Sequence, residues 1–209
     1  MLLNDSPNEH MSPVETFNNF NLKMPPRLMA VKALELFEGE TGLMIDLGAG
    51  AGSDCAYFLA HNWKVIAVDI NTQGIETMLK TIGNKYIDRI NVIKDRFENV
   101  IFPTVDLVIA NCSLPFCDKK YFSSVWENIK NSIRPGGRFA GTFFGLNDDF
   151  KEKAILLNSD QINTMFEGFE YEHYSEDEQE SEVVGPQGKK VFRHWHVYKV
   201  IAKKQMHNN

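Results

Sequence analysis

The sequence predicts an α/β domain in which an open, mostly parallel β-sheet is covered by helices on both faces. Short apolar runs alternate with amphipathic segments between residues 25 and 144, as in a chain that repeats strand and helix. A glycine-rich turn follows the first apolar run, which is typical of a strand that leads into a helix. The chain has 209 residues, a length suited to one domain of this kind.

The predicted domain begins with a helix that Pro25 and Pro26 open, because proline suits the first helical turn. Apolar residues at helical spacing continue this helix to about Phe37. A strand is predicted over Leu43–Leu47, whose largely apolar character is typical of a parallel strand buried on both faces. The glycine turn and a helix over residues 54–61 follow it.

Three more strands are predicted over residues 65–68, 90–93 and 105–110. A helix over residues 72–82 separates the first two of them, and Asn71 is placed to cap it. Asp118 caps a further helix that ends at residue 133, because Pro135-Gly136-Gly137 stops it. A fifth strand is predicted over residues 138–144.

The last quarter of the sequence follows a different pattern. Asn158 or Ser159 caps a short helix. Two strand-like stretches follow, residues 169–174 and 195–202, and we expect them to pair as a long antiparallel hairpin. An acidic run over residues 176–182 lies between them, and we interpret it as part of a water-exposed, mobile tip.

The first 23 residues are polar and rich in asparagine. We expect them to form a flexible arm or a lid, with Phe17 or Phe20 closing over a site. One domain over residues 24–209 would then follow this arm.

Composition and charge argue against several classes of protein, among them nucleic-acid-binding, membrane-spanning and secreted proteins. The net charge is −6 and the isoelectric point about 5.5, so the surface should repel a polyphosphate and a nucleic acid partner is not expected. The apolar runs are too short to span a bilayer, and the first residues do not resemble a signal peptide. Three cysteines without regular spacing are typical of reduced thiols. We therefore expect a cytoplasmic protein, a monomer or homodimer, with no metal and no membrane contact.

The glycine turn is the first candidate binding feature. It lies at the carboxyl end of a strand, where open α/β sheets bind ligands. Its spacing is G-x-G-x-G, and Ser53 stands where a dinucleotide-binding fingerprint has its third glycine. Asp46, two residues before the first glycine, would repel a docked pyrophosphate and suit a ligand with an ammonium and a sulfonium. These features favour S-adenosylmethionine over NAD.

Polar residues also follow the next three predicted strands. Asp69 can accept hydrogen bonds from both hydroxyls of a ribose. Asp95 can accept one from an adenine amino group, with Phe97 or Ile70 against the ring. Asn111 places its backbone carbonyl near the ammonium of a methionine moiety.

The motifs DLGAGAGSD, AVDIN, KDRF, VIANCSLPFC and IRPGGRFAGTFFG resemble those of class I S-adenosylmethionine-dependent methyltransferases. Among these, the sequence is most similar to small tellurite-resistance-type methyltransferases, over about residues 25–203. The resemblance implies a Rossmann-like, three-layered αβα fold whose seven-stranded, mostly parallel sheet has an antiparallel last strand. It departs from many relatives at Ala49, where they carry cysteine, but a small residue is kept. The cofactor-binding residues that the motifs and the resemblance imply are Asp46, Gly48, Ala49, Gly50, Asp69, Ile70, Asn71, Asp95, Arg96, Phe97, Asn111, Ser113 and Leu114.

The expected reaction is transfer of a methyl group to a small acceptor: a thiol, an oxyanion or another small metabolite. Such a transfer needs alignment of the acceptor with the methyl carbon, and a general base is optional, so no catalytic residue is predicted. His194 and His196 share a face of the last strand and form a candidate pair over the acceptor, with surface histidines as the alternative. Phe116 and Cys117 are expected on the acceptor side.

Two other functions stay open at this point. An NAD(P)-dependent oxidoreductase on a related sheet is disfavoured by Asp46 and by the missing third glycine. A non-catalytic relative that binds the cofactor without turnover would keep the same acids. The sequence does not identify the acceptor.

Overall fold

The computed structural model describes residues 24–184 and 190–206. The strands are β1 (Leu43–Leu47), β2 (Lys64–Asp69), β3 (Ile90–Lys94), β4 (Val105–Ala110), β5 (Ile133–Phe144), β6 (Phe169–Val184) and β7 (Lys190–Lys204). The helices are α1 (Leu28–Glu35), α2 (Ser53–Ala60), α3 (Gln73–Ile82), α4 (Phe122–Ser132) and α5 (Ser159–Met165), with 3₁₀ turns over Asn84–Arg89, Phe97–Asn99 and Leu114–Phe116.

The strands form one seven-stranded sheet in the order β3-β2-β1-β4-β5-β7-β6. The pairs among β1 to β5 are parallel, whereas β7 runs antiparallel to both β5 and β6. The predicted Rossmann-like sheet with an antiparallel last strand is therefore confirmed. Because β1 to β5 are parallel, their carboxyl ends meet at one edge of the sheet.

The sheet separates two apolar cores, which gives the three layers that were expected. Helices α1, α2 and α3 cover one face, where Phe58 and Trp63 are fully buried. Helices α4 and α5 cover the other face around Trp126 and Phe139. Each fully buried side chain of this size contributes roughly 1.5–3 kcal/mol through the hydrophobic effect. The indole of Trp126 also donates to Met165 O at 2.9 Å, which joins α4 to α5.

Helix α1 lies along the sheet with its amino end toward the carboxyl edge of the parallel strands. Just beyond its other end, the ring of Phe37 stacks against the guanidinium of Arg138, near the beginning of β5. The same guanidinium donates twice to Glu172 on β6, at 2.6 and 2.8 Å. At the amino end of α1, Arg27 N donates to the carboxylate of Asp54 at 2.7 Å.

Several element boundaries differ from the prediction, among them the starts of β5 and α4. Strand β5 begins at Ile133 instead of residue 138 and runs through Pro135-Gly136-Gly137, because a register shift opposite Val105 and Leu107 accommodates these residues. Helix α4 begins four residues after Asp118, whose carbonyl and side chain instead hold the preceding turn.

The acidic run was expected in a water-exposed, mobile tip; most of its acids are exposed, but its placement in a tip is wrong. Residues 176–182 lie inside β6 and pair residue by residue with β7. Cross-strand partners favour this arrangement: Lys199 pairs with Asp177 at 3.0 Å, and Lys190 with Glu182 at 2.7 Å. The predicted tip at residues 185–188 and the predicted arm over residues 1–23 lie outside the described residues.

Strand β7 pairs with β5 only from Val197 to Lys203, so the hairpin continues beyond β5. We call residues 178–184 and 190–196 the ribbon; it extends past the carboxyl edge of the sheet. The segment after β5 holds its base, since Gly145 N donates to His196 O at 2.6 Å. In the described part of the chain, no helix combines the length and apolar character that crossing a membrane requires.

Candidate active site

A cavity of about 320 Å³ lies at the carboxyl edge of the sheet, among the segments that follow β1, β2, β3 and β4. This is the edge at which open α/β sheets bind ligands, and the volume suits a small molecule. The lining residues are Gly48, Gly50, Asp69, Ile70, Asn71, Arg96, Phe97, Glu98, Cys112, Ser113, Phe116 and Cys117.

The glycine turn after β1 is fixed by backbone hydrogen bonds and by φ angles that favour glycine. Gly48 and Gly50 have φ angles of +72° and +54°, in the left-handed region. Gly48 N and Ala49 N both donate to Val68 O, at 2.8 and 3.2 Å. A Cβ on Gly48 would overlap the side chain of Ser113. The turn therefore packs against the end of β2 and against the side chain of Ser113, which follows β4.

Asp69, the last residue of β2, holds the glycine turn in place. One carboxylate oxygen accepts from Gly50 N and the other from Asn71 N, both at 2.8 Å. A carboxylate has about four acceptor positions, so capacity remains for the hydroxyls of a ligand. Asn71 also accepts from Gln73 N at 3.1 Å. The prediction that Asn71 caps this helix is wrong, because Thr72 occupies the N-cap position of α3 and makes no side-chain capping hydrogen bond.

The segment after β3 supplies an apolar wall beside an acidic turn. Asp95 accepts from Arg96 N and from Asn99 Nδ2, both at 2.7 Å, and the Asn99 hydrogen bond and then that of Arg96 lower the pKa of Asp95. Asp95 does not itself line the cavity, whereas Phe97 does. Ile70 is 65% exposed on the same cavity, so two apolar side chains are available for a flat ring.

Two buried carboxylates lie beneath the glycine turn. Asp46 accepts from the thiol of Cys55 at 3.1 Å, and burial, followed by the charge of Asp54, raises the pKa of Asp46 to about 8. Asp54 accepts from Arg27 N at 2.7 Å and from Asn111 Nδ2 at 2.9 Å; burial raises the pKa of Asp54 in spite of these bonds. Asp46, which is expected from the sequence to be a carboxylate, keeps its proton near neutral pH at this depth unless a cation approaches.

Two polar atoms in the segment after β4 have no hydrogen-bond partner. Asn111 Oδ1 and Ser113 Oγ are buried and unpaired among the described residues. Leaving such an atom unsatisfied costs about 1–3 kcal/mol. Unsatisfied buried polar atoms beside a cavity are typical of a site that a ligand completes.

The predicted cofactor-binding residues fall into two groups. Those that line the cavity are Gly48, Gly50, Asp69, Ile70, Asn71, Arg96, Phe97 and Ser113. Those outside the lining are Asp46, Ala49, Asp95, Asn111 and Leu114. Leu114 is fully buried in the apolar core, because the 3₁₀ turn that it begins directs its side chain inward.

Phe116 and Cys117, which we expect on the acceptor side, both line the cavity. Phe116 makes edge contacts with Phe144 and Phe150, at ring-centroid distances of 5.6 and 5.1 Å. Burial, with the charge of Glu98, raises the pKa of Cys117 to about 12. This thiol is therefore uncharged at neutral pH.

Glu98 is a cavity residue that the sequence analysis missed. Its carboxylate accepts from Asp118 N at 3.1 Å and from Arg96 Nη2 at 3.3 Å, and its side chain is only 6% exposed. Burial acts to raise the pKa of Glu98, but hydrogen bonds from its own N–H, from Asp118 and from Arg96 outweigh it and lower the pKa. Glu98 and the guanidinium of Arg96 thus place an ion pair in the cavity wall. Glu98 lies in a 3₁₀ turn of three residues, which is too short to produce a periodic pattern of apolar residues in the sequence.

The two histidines do not lie over the cavity, so their expected placement is not met. His196 Nε2 lies 2.8 Å from Glu176 Oε1, and His194 Nε2 lies 2.9 Å from Glu178 Oε1, so both contact β6. Asn147 N donates to His196 Nδ1 at 3.3 Å, which assigns the proton of this ring to Nε2. In residues 24–184 and 190–206, no cluster of three or more His, Cys, Asp or Glu is arranged to hold a metal ion.

Sequence comparison identifies a domain within the chain. Residues 45–139 match the family described as a methyltransferase domain. The arsenite methyltransferase of Halobacterium salinarum is 33% identical over 114 residues, which cover 49% of this chain and 26% of that protein. The chain thus spans about a quarter of the length of this relative.

Structure comparison finds the same architecture in two solved enzymes. TehB from Haemophilus influenzae superposes with a TM-score of 0.67 at 17% identity, over 84% of this chain and 61% of TehB. A second is the 1,6-didemethyltoxoflavin-N1-methyltransferase of Burkholderia thailandensis, solved with 1,6-didemethyltoxoflavin and S-adenosylhomocysteine. It superposes with a TM-score of 0.62 at 18% identity, over 86% of this chain and 78% of that protein. The predicted fold is confirmed, and the match over residues 45–139 confirms the resemblance to methyltransferases.

Proposed function

Because the chain contains a methyltransferase domain and has the fold of class I S-adenosylmethionine-dependent methyltransferases, we propose that it transfers a methyl group from S-adenosylmethionine to a small-molecule acceptor. One observation carries the proposal: the glycine turn, Asp69 and the segment after β4 surround a single cavity. The unpaired Asn111 Oδ1 beside this cavity and Ser113 Oγ in its wall fit a polar ligand there.

The cavity residues suit the parts of this cofactor in a definite order. Asp69, with acceptor capacity left over, is proposed to bind the ribose hydroxyls. Ile70 and Phe97 are proposed to hold the adenine ring between them. The open backbone at Gly48 and Gly50 is proposed to admit the methionine part, because no side chain obstructs it.

The bound cofactor supplies an electrophilic methyl group on a positively charged sulfur. The protein contributes by holding the acceptor in line with that methyl group and by keeping water out. Phe116 serves the second task, since its ring packs against Phe144 and Phe150 and closes one side of the cavity. No general base is required for an acceptor that is already nucleophilic.

The acceptor is proposed to be small, because a cavity of about 320 Å³ leaves little room beside the cofactor. Glu98 and Arg96 form an ion pair in the wall at 3.3 Å, so this part of the cavity carries no net charge and suits an uncharged acceptor. A thiol, uncharged in its protonated form, fits this description, as do other small uncharged metabolites.

A second candidate acceptor is a thiophilic inorganic species such as arsenite. Two observations favour it: the thiols of Cys112 and Cys117 both line the cavity, and the relative from Halobacterium salinarum is an arsenite methyltransferase. Thiol ligands prefer soft elements of this kind.

The test begins with cofactor binding. Calorimetric titration with S-adenosylhomocysteine should give saturable binding, whereas NADH should give none. Incubation with methyl-labelled S-adenosylmethionine and a panel of thiols, arsenite and tellurite should then give a labelled product by mass spectrometry. Binding of NADH in place of S-adenosylhomocysteine would support the oxidoreductase. Cofactor binding without any product from a broad panel would support a non-catalytic protein.

A further inference from the structure

Glu98 lies in the cavity wall, between the segments that follow β3 and β4. Three groups from other residues reach its carboxylate: Asp118 N at 3.1 Å, Arg96 Nη2 at 3.3 Å and the thiol of Cys117 at 3.6 Å. All three contact the same oxygen, Oε1. The carboxylate is therefore held firmly through one of its two oxygens.

The second oxygen, Oε2, accepts no hydrogen bond from any other described residue. Within the described part of the chain, it is also not one of the side-chain atoms that are buried without a partner. Because Oε1 is turned toward Asp118 and Cys117, Oε2 is the oxygen that Glu98 leaves to the cavity. A carboxylate oxygen has about two acceptor positions, so Oε2 can accept from a molecule bound there.

The neighbours of Glu98 place it on the side of the cavity where the acceptor is expected. Cys117, which contacts Oε1, and Phe116 line the same cavity. Phe97, the residue before Glu98, reaches the glycine turn instead: its ring lies 3.7 Å from the position that a Cβ on Gly48 would occupy. Successive residues of this 3₁₀ turn therefore serve the cofactor side and the acceptor side.

The carboxyl group of Glu98 is ionised throughout the range near neutral pH. Burial acts to raise its pKa, but hydrogen bonds from its own N–H, from Asp118 and from Arg96 outweigh burial and lower the pKa below 4.5. Arg96, Asp118 and Cys117 are the charged and titratable groups that face it, and burial with the charge of Glu98 raises the pKa of Cys117 to about 12. Helix α4 also packs against this turn and contributes Asn128, which is uncharged.

A carboxylate with a low pKa can assist only some acceptors. An alcohol holds its proton too firmly for so weak a base, and arsenite is methylated on arsenic, which carries no hydrogen. A thiol has an ordinary pKa of about 8.5, so it is mostly uncharged near pH 7 and becomes a strong nucleophile as its proton leaves. The ion pair of Arg96 and Glu98 leaves this wall without net charge, which suits such a molecule.

We propose that the methyl acceptor is an uncharged thiol and that Glu98 Oε2 is the catalytic group that accepts its S–H proton. The thiol sulfur forms the bond to the methyl carbon, and the bond from this carbon to the sulfonium breaks with its electron pair left on the cofactor sulfur. The electron pair of the S–H bond stays on the acceptor sulfur. Glu98 later returns the proton to water. This proposal rests on the proposed function and narrows its acceptor to one class.

The first test compares two ligands that differ at the acceptor sulfur. Benzyl mercaptan carries the S–H, whereas benzyl methyl sulfide, its methylated product, does not, and both offer a ring to the 41% exposed Phe116. In Glu98→Gln the amide oxygen stays with Asp118 N and Arg96, so an NH₂ group replaces Oε2. By calorimetry on the full chain saturated with S-adenosylhomocysteine, this variant should bind benzyl mercaptan about 3- to 10-fold more weakly and the sulfide within about twofold.

The second test follows methylation of benzyl mercaptan between pH 6 and pH 8, with saturating methyl-labelled S-adenosylmethionine. In the wild type Glu98 is ionised across this range, so kcat/KM for the thiol should stay nearly constant. In Glu98→Gln only the thiolate reacts, so kcat/KM at pH 6 should fall about 100-fold or more and then rise about tenfold per pH unit. Glu98→Asp keeps a carboxylate and should keep the flat profile at a smaller loss of rate.

Asp118→Asn is the matched control. It removes a negative charge next to Glu98, but the side chain of Asp118 does not line the cavity, and asparagine can still accept from Lys120 N. We expect this variant to change ligand affinities and kcat/KM less than about twofold. For every variant, S-adenosylhomocysteine affinity and the thermal unfolding midpoint check the cofactor site and the fold.

Several outcomes would overturn the proposal. Wild-type rates or a flat pH profile in Glu98→Gln would show that Oε2 takes no proton. Equal weakening of both benzyl ligands, or weaker S-adenosylhomocysteine binding, would assign Glu98 to the fold or to the cofactor. Binding of S-adenosylhomocysteine without methylation of benzyl mercaptan or 2-mercaptoethanol would exclude the thiol. The proposed function fails separately, if the unmodified chain does not bind S-adenosylhomocysteine.

Discussion

The thiol of Cys55 donates to Asp46 Oδ2 over 3.1 Å, inside the core and directly beneath the glycine turn. The thiol is a weak donor, and this environment offers Asp46 little compensation for the loss of water. Burial accordingly raises the pKa of Asp46 to about 8. The carboxyl group is therefore mostly protonated near pH 7.

Cofactor binding should release a proton near pH 7. An ammonium close to Asp46 favours the charged form and lowers its pKa from about 8, so affinity should rise with pH and level off above that value. Titration with S-adenosylhomocysteine at pH 7, in buffers of different ionisation enthalpy, measures the proton released. Asp46→Asn should abolish the release. A release that persists in this variant would place the titrating group elsewhere.

Asp46 should also make the fold less stable as the pH rises. Its folded-state pKa of about 8 exceeds the ordinary value of 3.8, so between these values the unfolded chain loses a proton that the folded chain keeps. The free energy of unfolding then falls from pH 4 to pH 8. Denaturant unfolding of the wild type and Asp46→Asn over this range should show the variant gaining relative stability with pH. A constant difference between them would contradict the raised pKa.

Gly48→Ala should weaken both the fold and cofactor binding. The φ angle of +72° costs an alanine roughly 1–2 kcal/mol, and the added Cβ would also overlap Ser113. Gly39→Ala is the matched control, since its φ is +90° but nothing lies within 4 Å of the added Cβ. The excess loss of unfolding free energy at Gly48 over Gly39 measures the overlap. Adding Ser113→Gly to Gly48→Ala should recover part of that excess, and no recovery would assign the loss to backbone strain alone.

Asp69→Ala should reduce cofactor affinity by about 1.5–3 kcal/mol, the scale of hydrogen bonds to a charged acceptor. The carboxylate now holds Gly50 N and Asn71 N, so its removal loosens the glycine turn and deletes the proposed ribose contact. Calorimetry with adenosine separates these effects from those at the amino-acid end, because adenosine carries only the nucleoside. Unchanged affinity for both S-adenosylhomocysteine and adenosine would exclude the ribose role.

The strand–helix pattern predicted the sheet and much of the cavity for one physical reason. Residues that follow parallel strands meet at one edge, so Asp69, Phe97 and Ser113 could be brought together without knowledge of their contacts. The position of a residue relative to the parallel strands does not predict the contacts of Asp54 or Glu98. They lie in a first helical turn and a 3₁₀ turn, and tertiary packing decides which way such residues face.

The acidic run over residues 176–182 was wrongly predicted to lie in a mobile tip for a different reason. A stretch of five acids within residues 176–182 has low strand propensity when taken alone. Its partners on β7 supply positive charge and hydrogen-bond donors, among them Lys199 and His196. That compensation comes from the neighbouring strand, which no property of the run itself reveals.

The ribbon lies at a place where its sequence and length can change during evolution. The matched methyltransferase domain ends at residue 139, within β5, so β6 and β7 lie outside it. Trp195 of the ribbon packs against Phe150, which in turn contacts Phe116 in the cavity wall. A hairpin at the margin of a sheet can lengthen, shorten or exchange side chains without moving the strands that hold the glycine turn. Changes in this hairpin can therefore reach the cavity wall through Trp195 and Phe150 while the cavity floor stays in place.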